Sequence, residues 1–398
     1  MFLTMDKKVN FYSIPRSAYV HIPFCRRRCF YCDFPISVVG DRLRGETSGT
    51  ISQYVELLTQ EISITPIFGQ PLKTIFFGGG TPSLLSIDQL QKILKTLEKR
   101  FGIVPGAEIS MEMDPGTFDL AHIAGYRSLG VNRVSLGVQA FQEELLKVAG
   151  RSHSTADIFA AVELVRKVEI PEFSLDLISG LPHQSLDCWQ DSLAQAVGIS
   201  PTHISIYDLT IEPGTAFGRY YKPGDLPLPT DETTVKMYQM AQQVLTGAGY
   251  EHYEISNYAQ PGHQCQHNRV YWENRPYYGF GMGAASYIEG KRFTRPRKTK
   301  EYYQWVKAGC VVDCEVTPAD EVLLETLMLG LRLAEGVNLS TLAAEFGEKK
   351  VEEIHKFLQP YLAKGWVEIV EGQLRLSDPQ GFLFSNVVLA ELFAELGE

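Results

Sequence analysis

The first 250 residues alternate between two patterns of apolar residues. Short runs rich in β-branched and aromatic side chains predict six buried strands, at residues 18–23, 73–77, 107–113, 132–138, 173–178 and 203–209. The stretches between them are longer and amphipathic; in residues 50–64, for example, Ile51, Val55, Leu58 and Ile62 share one helical face. Alternating strands and helices indicate a parallel sheet with crossover helices, and six successive units favour a TIM-type barrel, whole or partial.

The pattern changes after about residue 300. Three amphipathic stretches, at residues 320–333, 339–347 and 351–365, predict helices, and residues 366–377 predict a small hairpin. A last helix is predicted from about Phe382 to Leu396. This arrangement resembles a winged-helix-like α+β module, so we divide the chain into a barrel at 1–300 and a C-terminal domain at 301–398. Because the module is acidic and amphipathic, packing or partner binding is favoured over DNA binding.

Composition and charge narrow the function further. The chain has 398 residues and a formal net charge of −10, which speaks against a nucleic-acid partner. It contains no run of eighteen apolar residues that would span a membrane, and its first residues lack the apolar core of a signal peptide. We therefore expect a cytoplasmic protein, in which clustered cysteines indicate metal or redox chemistry.

Three cysteines crowd into the stretch HIPFCRRRCFYCDF, residues 21–34, with the spacing C-x3-C-x2-C. A [4Fe–4S] cluster usually takes four thiolates, so Cys25, Cys29 and Cys32 would leave one iron open to a small molecule. The three arginines between the first two cysteines would favour thiolates electrostatically. Two alternatives stay open from the spacing alone: a zinc site completed by His21, and three ordinary buried cysteines.

The motif YVHIPFCRRRCFYCDF resembles the cluster motif of the radical S-adenosylmethionine (SAM) superfamily. That resemblance implies a partial (β/α)6 barrel in which the amine and carboxylate of SAM chelate the open iron. Polar residues and two glycines near the predicted strand ends suit such a ligand, although each polar residue alone could be routine and the glycines alone could belong to a tight turn. They are Tyr19, Gly79, Gly80, Thr81, Glu112, Gln139, Arg151 and Asp176. Together they resemble the SAM-binding set of the HemN-like, oxygen-independent coproporphyrinogen oxidase family, over nearly the whole chain.

A second motif, HNRVYW, supplies His267, Asn268, Tyr271 and Trp272. Imidazole is a common haem ligand, and two aromatic rings could stack on a macrocycle. The alternative is a hydrogen-bonded histidine in an aromatic corner. The H-N-x-x-Y-W pattern is similar to that of HemW, the haem-chaperone branch of the family, and the cluster motif lacks the Cys-Gly-Cys continuation of the oxidases.

Three further features are left open by the sequence. Cys265 is a candidate second haem ligand. We interpret the basic run at 291–300 as a solvated loop, with a clamp for haem propionates as the alternative. Cys188, Cys310 and Cys314 read as free thiols.

The resemblance implies a haem chaperone that holds a [4Fe–4S] cluster, SAM and haem. It would pass haem to an acceptor protein, either a respiratory haemoprotein or a haem store, and it allows a homodimer and a peripheral place at the membrane. The alternative function is coproporphyrinogen III oxidation, in which a SAM-derived radical drives loss of carbon dioxide from propionate side chains to give protoporphyrinogen IX. A radical SAM enzyme acting on another substrate is a third hypothesis.

Overall fold

The computed structural model describes residues 14–41 and 44–396. Up to residue 307 these residues form the strands and helices of the barrel and the segments that connect them. The strands are β1 (Ser17–Ile22), β2 (Phe24–Cys25), β3 (Ser37–Val38), β4 (Leu72–Gly79), β5 (Ile103–Met113), β6 (Arg133–Gln139), β7 (Glu172–Ser179), β8 (His203–Asp208), β9 (Glu251–Glu254), β10 (Asn257–Ala259), β11 (Tyr278–Phe280), β12 (Ala285–Ile288) and β13 (Lys291–Thr294). The helices are α1 (Gly49–Ile64), α2 (Ile87–Phe101), α3 (Leu120–Ser128), α4 (Glu143–Val148), α5 (Thr155–Lys167), α6 (Leu186–Ile199), α7 (Ala216–Tyr220), α8 (Asp231–Gly247), α9 (Gln266–Trp272) and α10 (Thr299–Lys307).

One nine-stranded sheet carries the barrel, in the order β11-β1-β4-β5-β6-β7-β8-β10-β9. The first seven of these strands run parallel, and β10 pairs antiparallel with both β8 and β9. The six predicted strands are β1 and β4 to β8, so the predicted partial barrel is confirmed. The late strand β11 joins the free edge of β1, a long-range pairing that periodicity alone does not reveal.

Serine side chains fix where several crossover helices begin. The hydroxyls of Ser48, Ser86, Ser154 and Ser185 each accept a hydrogen bond from the backbone N–H three residues later. These caps satisfy N–H groups that would otherwise lack a partner in the first helical turn.

The faces of β4 show how the barrel separates its core from its interior. Ile75 and Phe77 are fully buried in the hydrophobic cluster between strands and helices. Thr74, Phe76 and Gly78 have the opposite parity and point into the barrel, where Phe76 stacks on His267. The interior therefore contains polar and aromatic side chains that can contact a ligand.

The remaining residues form a smaller α+β unit. Its elements are α11 (Ala319–Gly330), β14 (Val337–Asn338), α12 (Leu339–Phe346), α13 (Glu348–Ala363), β15 (Val367–Val370), β16 (Gln373–Leu376), α14 (Gln380–Leu383) and α15 (Ser385–Leu396). The three helices and the hairpin occur as predicted, but the last predicted helix is interrupted at Phe384. The unit has its own hydrophobic core.

The two parts meet at the antiparallel edge of the large sheet. Backbone N–H groups of Ile255 and Ala334 bond across the junction, and His252 pairs with Asp378 at 2.9 Å. Helix α10 crosses the predicted division at residue 300, and its Tyr302 is buried in the barrel core. The boundary itself stays a prediction. None of the helices among the described residues has the length and apolarity needed to cross a membrane.

Candidate functional site

A cavity of about 400 Å³ lies at the carboxyl ends of the parallel strands. All three cysteines of the motif line it. So do seven of the eight residues predicted to hold SAM, namely Gly79, Gly80, Thr81, Glu112, Gln139, Arg151 and Asp176. Tyr19, the eighth, lines an adjoining cavity deeper in the barrel. The fold therefore brings these distant residues together at the end of the barrel where such folds place their chemistry.

The loop that carries the cysteines is held by its own backbone contacts. The short strands β2 and β3 pair through Phe24 and Ser37, and the N–H of Cys32 bonds to the carbonyl of Cys29 at 3.2 Å. The guanidinium of Arg28 donates to three backbone carbonyls of the loop, those of Cys32, Phe34 and Ile36. These contacts within the loop fix its shape around the three cysteines.

None of the three arginines of the motif donates a hydrogen bond to a sulfur. The predicted electrostatic effect holds for Arg28: burial raises the pKa of the Cys32 thiol, and the charge of Arg28 partly offsets that rise. Arg26 donates to the carbonyl of Gly116, Arg27 pairs with Asp41, and Arg28 bonds the loop backbone. The cation in direct contact with a thiol is Arg151, whose Nη1 lies 3.2 Å from the Sγ of Cys29. Sequence proximity did not reveal this contact, because Arg151 reaches the loop from a distant part of the chain.

The donor set suits an iron–sulfur cube better than a single zinc ion. No three His, Cys, Asp or Glu side chains of the described residues converge on one point. His21 is engaged, since its Nδ1 lies 3.0 Å from the Tyr19 hydroxyl and its Nε2 lies 3.1 Å from the Pro35 carbonyl. In a cube each thiolate binds a different iron, so the sulfurs need only line a common space. Burial raises the pKa of the Cys25 thiol to about 12, so iron would have to displace its proton.

The glycines after β4 are required by close backbone packing. A Cβ on Gly79 would lie 2.3 Å from the His21 ring, and Gly79 has a φ of 107°. A Cβ on Gly80 would lie 2.7 Å from the carbonyl oxygen of Phe24. These residues let β4 run close against the cluster loop and leave their backbone facing the cavity.

Two carboxyl groups face the middle of the cavity. Glu112 accepts a hydrogen bond from the Gly79 N–H at 2.9 Å. The Ser135 hydroxyl donates one hydrogen bond to Asp176, shared between its two carboxylate oxygens at 2.7 and 2.8 Å. Burial, with the nearby charge of Asp176, raises the pKa of Glu112 to about 8, and burial raises that of Asp176 to about 6. A cationic ligand group would stabilise both carboxylates, as an ammonium and a sulfonium would.

Arg151 is already paired within the cavity wall, with a partner that the sequence did not single out. Its Nη2 donates to Asp114 and to the carbonyl of Gly137, and its buried Nε has no partner among the described residues. Asp114 follows Glu112 by two residues on the same strand end, and that spacing was the available signal. Beside them, Gln139 has a left-handed φ of 69°, a backbone strain that is common at ligand sites.

A second cavity of about 260 Å³ continues from the first into the barrel interior. Glu112 and Asp176 line both cavities, and Asn268 and Tyr271 lie at the far end. Here the N–H groups of Gln266 and His267 donate to Glu108, and Glu108 pairs with Arg133 at 3.1 Å. Helix α9 thus closes the amino end of the barrel.

His267 is fully buried under this helix. Its Nδ1 lies 2.8 Å from the Thr74 hydroxyl and its Nε2 lies 2.8 Å from the Tyr271 hydroxyl. Burial lowers the pKa of the imidazole to about 3, so the ring is neutral. Trp272 is partly buried and lines neither cavity, whereas Cys265 lines the second cavity. Haem ligation by this motif stays a prediction, and it requires one of the two hydrogen bonds to open.

The basic run at 291–300 is not a solvated loop throughout. Arg295 is buried and pairs with Glu61 at 2.8 Å, and Arg292 pairs with Glu325 at 2.9 Å. Arg297 reaches the cluster loop, where it donates to the carbonyl of Asp33. The ion pairs of Arg292 and Arg295 hold this segment against the rest of the protein.

Comparison with known proteins places this architecture in a family. Residues 19–196 match the Radical SAM superfamily, and residues 317–384 match the HemN C-terminal domain. Haem chaperone HemW of Synechocystis is 48% identical, over 97% of this chain and 98% of the relative. HemW of Escherichia coli K12 is 36% identical, over 96% of this chain and 99% of the relative. This chain belongs to the HemW family.

A solved structure supports the same fold for the HemW-family chain. Coproporphyrinogen III oxidase (HemN) from Escherichia coli, a radical SAM enzyme, superimposes with a TM-score of 0.82 at 25% identity. The match covers 96% of this chain and 91% of that one. Barrel and C-terminal module are therefore shared across the two branches, and function must be argued from the sites.

Proposed function

We propose that this protein is a haem chaperone that carries a [4Fe–4S] cluster, binds SAM and passes haem to an acceptor protein. The observation that carries the proposal is nearly full-length similarity to HemW proteins, at 48% identity in one case. The acceptor would be a respiratory haemoprotein or a haem store. A homodimer and a peripheral place at the membrane belong to the same proposal.

We assign the cluster to Cys25, Cys29 and Cys32, and SAM to the cavity beside them. The cluster would supply an electron to the bound sulfonium. Glu112 would hold the SAM ammonium, because its carboxylate is oriented by the Gly79 N–H. Asp176, held by Ser135, would accept from the ribose hydroxyls. Arg151 would stabilise the sulfur of Cys29 and offer its unpaired Nε to a ligand carboxylate.

We assign haem to His267, with Asn268, Tyr271 and Trp272 around it. A neutral imidazole is the form that binds iron, and the low pKa keeps it neutral at physiological pH. Both ring nitrogens are hydrogen-bonded, so binding would exchange a hydroxyl partner for iron. That exchange makes haem loading dependent on a local opening of α9, which suits a carrier that must also release its cargo.

The proposal is tested by loading and transfer. Wild-type protein and the variant His267→Ala would be titrated with haemin, and the loaded protein then mixed with an apo-haemoprotein. We expect a shifted Soret band and transfer for the wild type and neither for the variant. His122→Ala, on the barrel surface, is the matched control and should behave like the wild type. Equal spectra for wild type and His267→Ala would remove His267 as the ligand.

Coproporphyrinogen oxidation is the second candidate, because the structural match to HemN includes the SAM end of the barrel. Reconstituted protein would be incubated anaerobically with reductant, SAM and coproporphyrinogen III. Formation of protoporphyrinogen IX that is lost in Cys29→Ser would establish this activity and contradict a purely carrier role. We expect no turnover.

A further inference from the structure

A third cavity, of about 360 Å³, opens at the amino end of the barrel, beside α9. Four of its ten lining residues are cationic and none is acidic; the lining is Ile14, Arg16, Ser17, Lys73, Thr74, Gln266, Arg269, Val270, Arg275 and Pro276. We call it the basic vestibule. Such a concentration of cations is unexpected on a chain with a net charge of −10.

The charges of the basic vestibule are only partly compensated. Glu273 pairs with both Arg269 and Arg275, and Glu335 also pairs with Arg269. Arg16 donates its Nε to the carbonyl of Pro71. Neither Arg16 nor Lys73 has a carboxylate partner among the described residues. Four cations against two carboxylates leave an excess of two positive charges, which is the charge that two ligand carboxylates would balance.

The helix α9 connects the basic vestibule to His267. One face of α9 lines the vestibule through Gln266, Arg269 and Val270. Asn268 and Tyr271 line the second cavity, in the barrel interior. His267 lies between the two faces. Thr74, whose hydroxyl bonds to the Nδ1 of His267, is itself part of the vestibule wall. A ligand seated in the vestibule is therefore one side chain away from the imidazole.

We propose that the basic vestibule binds the two propionate carboxylates of haem, so that haem approaches His267 from the amino end of the barrel, opposite the cluster. This proposal rests on the proposed function. The vestibule lies at the lower end of the usual range of ligand pockets, roughly 300–1,000 Å³. It has room for the carboxylate edge of the macrocycle, and the iron would reach His267 when α9 opens locally. Within the basic run at 291–300, Arg292 and Arg295 are already paired with Glu325 and Glu61.

The test is a haemin titration of full-length protein carrying Arg16→Glu and Lys73→Glu together. We expect binding about tenfold weaker than wild type, with the Soret position of the bound form unchanged, since the axial ligand is kept. The matched control is Lys95→Glu with Lys99→Glu on the exposed face of α2, which makes the same change in net charge. If the control weakens binding equally, or if neither pair of changes does, the proposal is overturned.

Two further measurements separate the possible failures. Haemin dimethyl ester has no free carboxylates, so it should bind wild type and both double variants alike; a difference between variants would contradict carboxylate recognition. Lys73→Glu alone is the variant least expected to disturb folding, because this exposed side chain forms no ion pair with any described residue. It should weaken haemin binding severalfold. Wild-type protein that binds no haemin would defeat the proposed function itself, whereas tight wild-type binding that the vestibule changes leave intact would defeat only this proposal.

Discussion

The polar side chains at the two ends of the barrel differ in how accessible they are to a ligand. At the carboxyl end, three thiols, five carboxyl groups and two arginines line one open cavity. At the amino end, His267 has both ring nitrogens hydrogen-bonded and is fully buried. Strand β5 links the two, because Glu108 anchors α9 and Glu112 lines the cavity four residues later, roughly 13 Å apart. The carboxyl end is preorganised for its ligands, whereas the amino end must open to receive one.

The largest effect is expected at the cluster. Cys29→Ala removes one of three ligands, so anaerobic reconstitution should fall from about four irons per chain to nearly none. Iron analysis and the absorption spectrum measure this. Cys188→Ala removes a thiol outside the motif and should keep the wild-type iron content. Full iron content in Cys29→Ala would show that the cluster is held elsewhere.

The anchor of α9 should contribute most to stability. Glu108→Gln leaves the buried Arg133 with a weakened partner and removes a carboxylate that accepts two helix N–H groups. We expect the free energy of unfolding to fall by about 3 kcal/mol in urea denaturation. Glu56→Gln, at an exposed pair with Lys92, should change it by less than about 0.5 kcal/mol. Equal effects would mean that the amino end is not held closed by this pair.

The buried carboxyl group of Glu112, which lines the open cavity, should make the stability of the protein depend on pH. Because the folded pKa of Glu112, about 8, lies above its usual 4.5, the folded apo-protein binds this proton more tightly than the unfolded chain. Its contribution is fully present below pH 4.5 and is lost as the pH rises to 8. Relative to the wild type, Glu112→Gln should therefore gain about 3 kcal/mol of stability between pH 5 and pH 8. Parallel curves for the two proteins would contradict the raised pKa.

The smallest expected effect tests the closed state of His267. Tyr271→Phe removes the hydroxyl that occupies Nε2. Since a net hydrogen bond is worth about 1 kcal/mol, haemin affinity should rise about fivefold. Tyr126→Phe, a buried tyrosine whose hydroxyl bonds to backbone carbonyls far from α9, is the control and should leave haemin affinity unchanged. Weaker haemin binding in Tyr271→Phe would mean that the hydroxyl contacts haem rather than competing with it.

The sequence predicted the carboxyl end well, for physical reasons. Strand period and β/α alternation are local, and parallel strands must end at one edge, so Cys25, Glu112 and Asp176 were placed together correctly. What it missed depends on contacts made across the fold. Asp114 as the partner of Arg151, and Arg151 rather than Arg28 as the cation at Cys29, follow from loop geometry that no spacing encodes.

The amino end was less predictable. The motif HNRVYW identified the residues, but not that α9 closes the barrel or that Glu108 and Arg133 hold it there. Lys73 and Arg16 are far from Arg275 in the sequence, and only the pairing of β1 with β4 and β11 brings them together. The net charge of the whole chain does not reveal a local basic site.

The separation of the two ends is tested most directly by measuring iron content and the Soret band on the same samples of two variants. One variant replaces Cys25, Cys29 and Cys32 with alanine, and the other is His267→Ala. The first should lose the cluster iron and bind haemin as the wild type does; the second should keep about four irons and lose the Soret shift. Loss of haem binding in the cysteine variant, with retention in His267→Ala, would contradict this account.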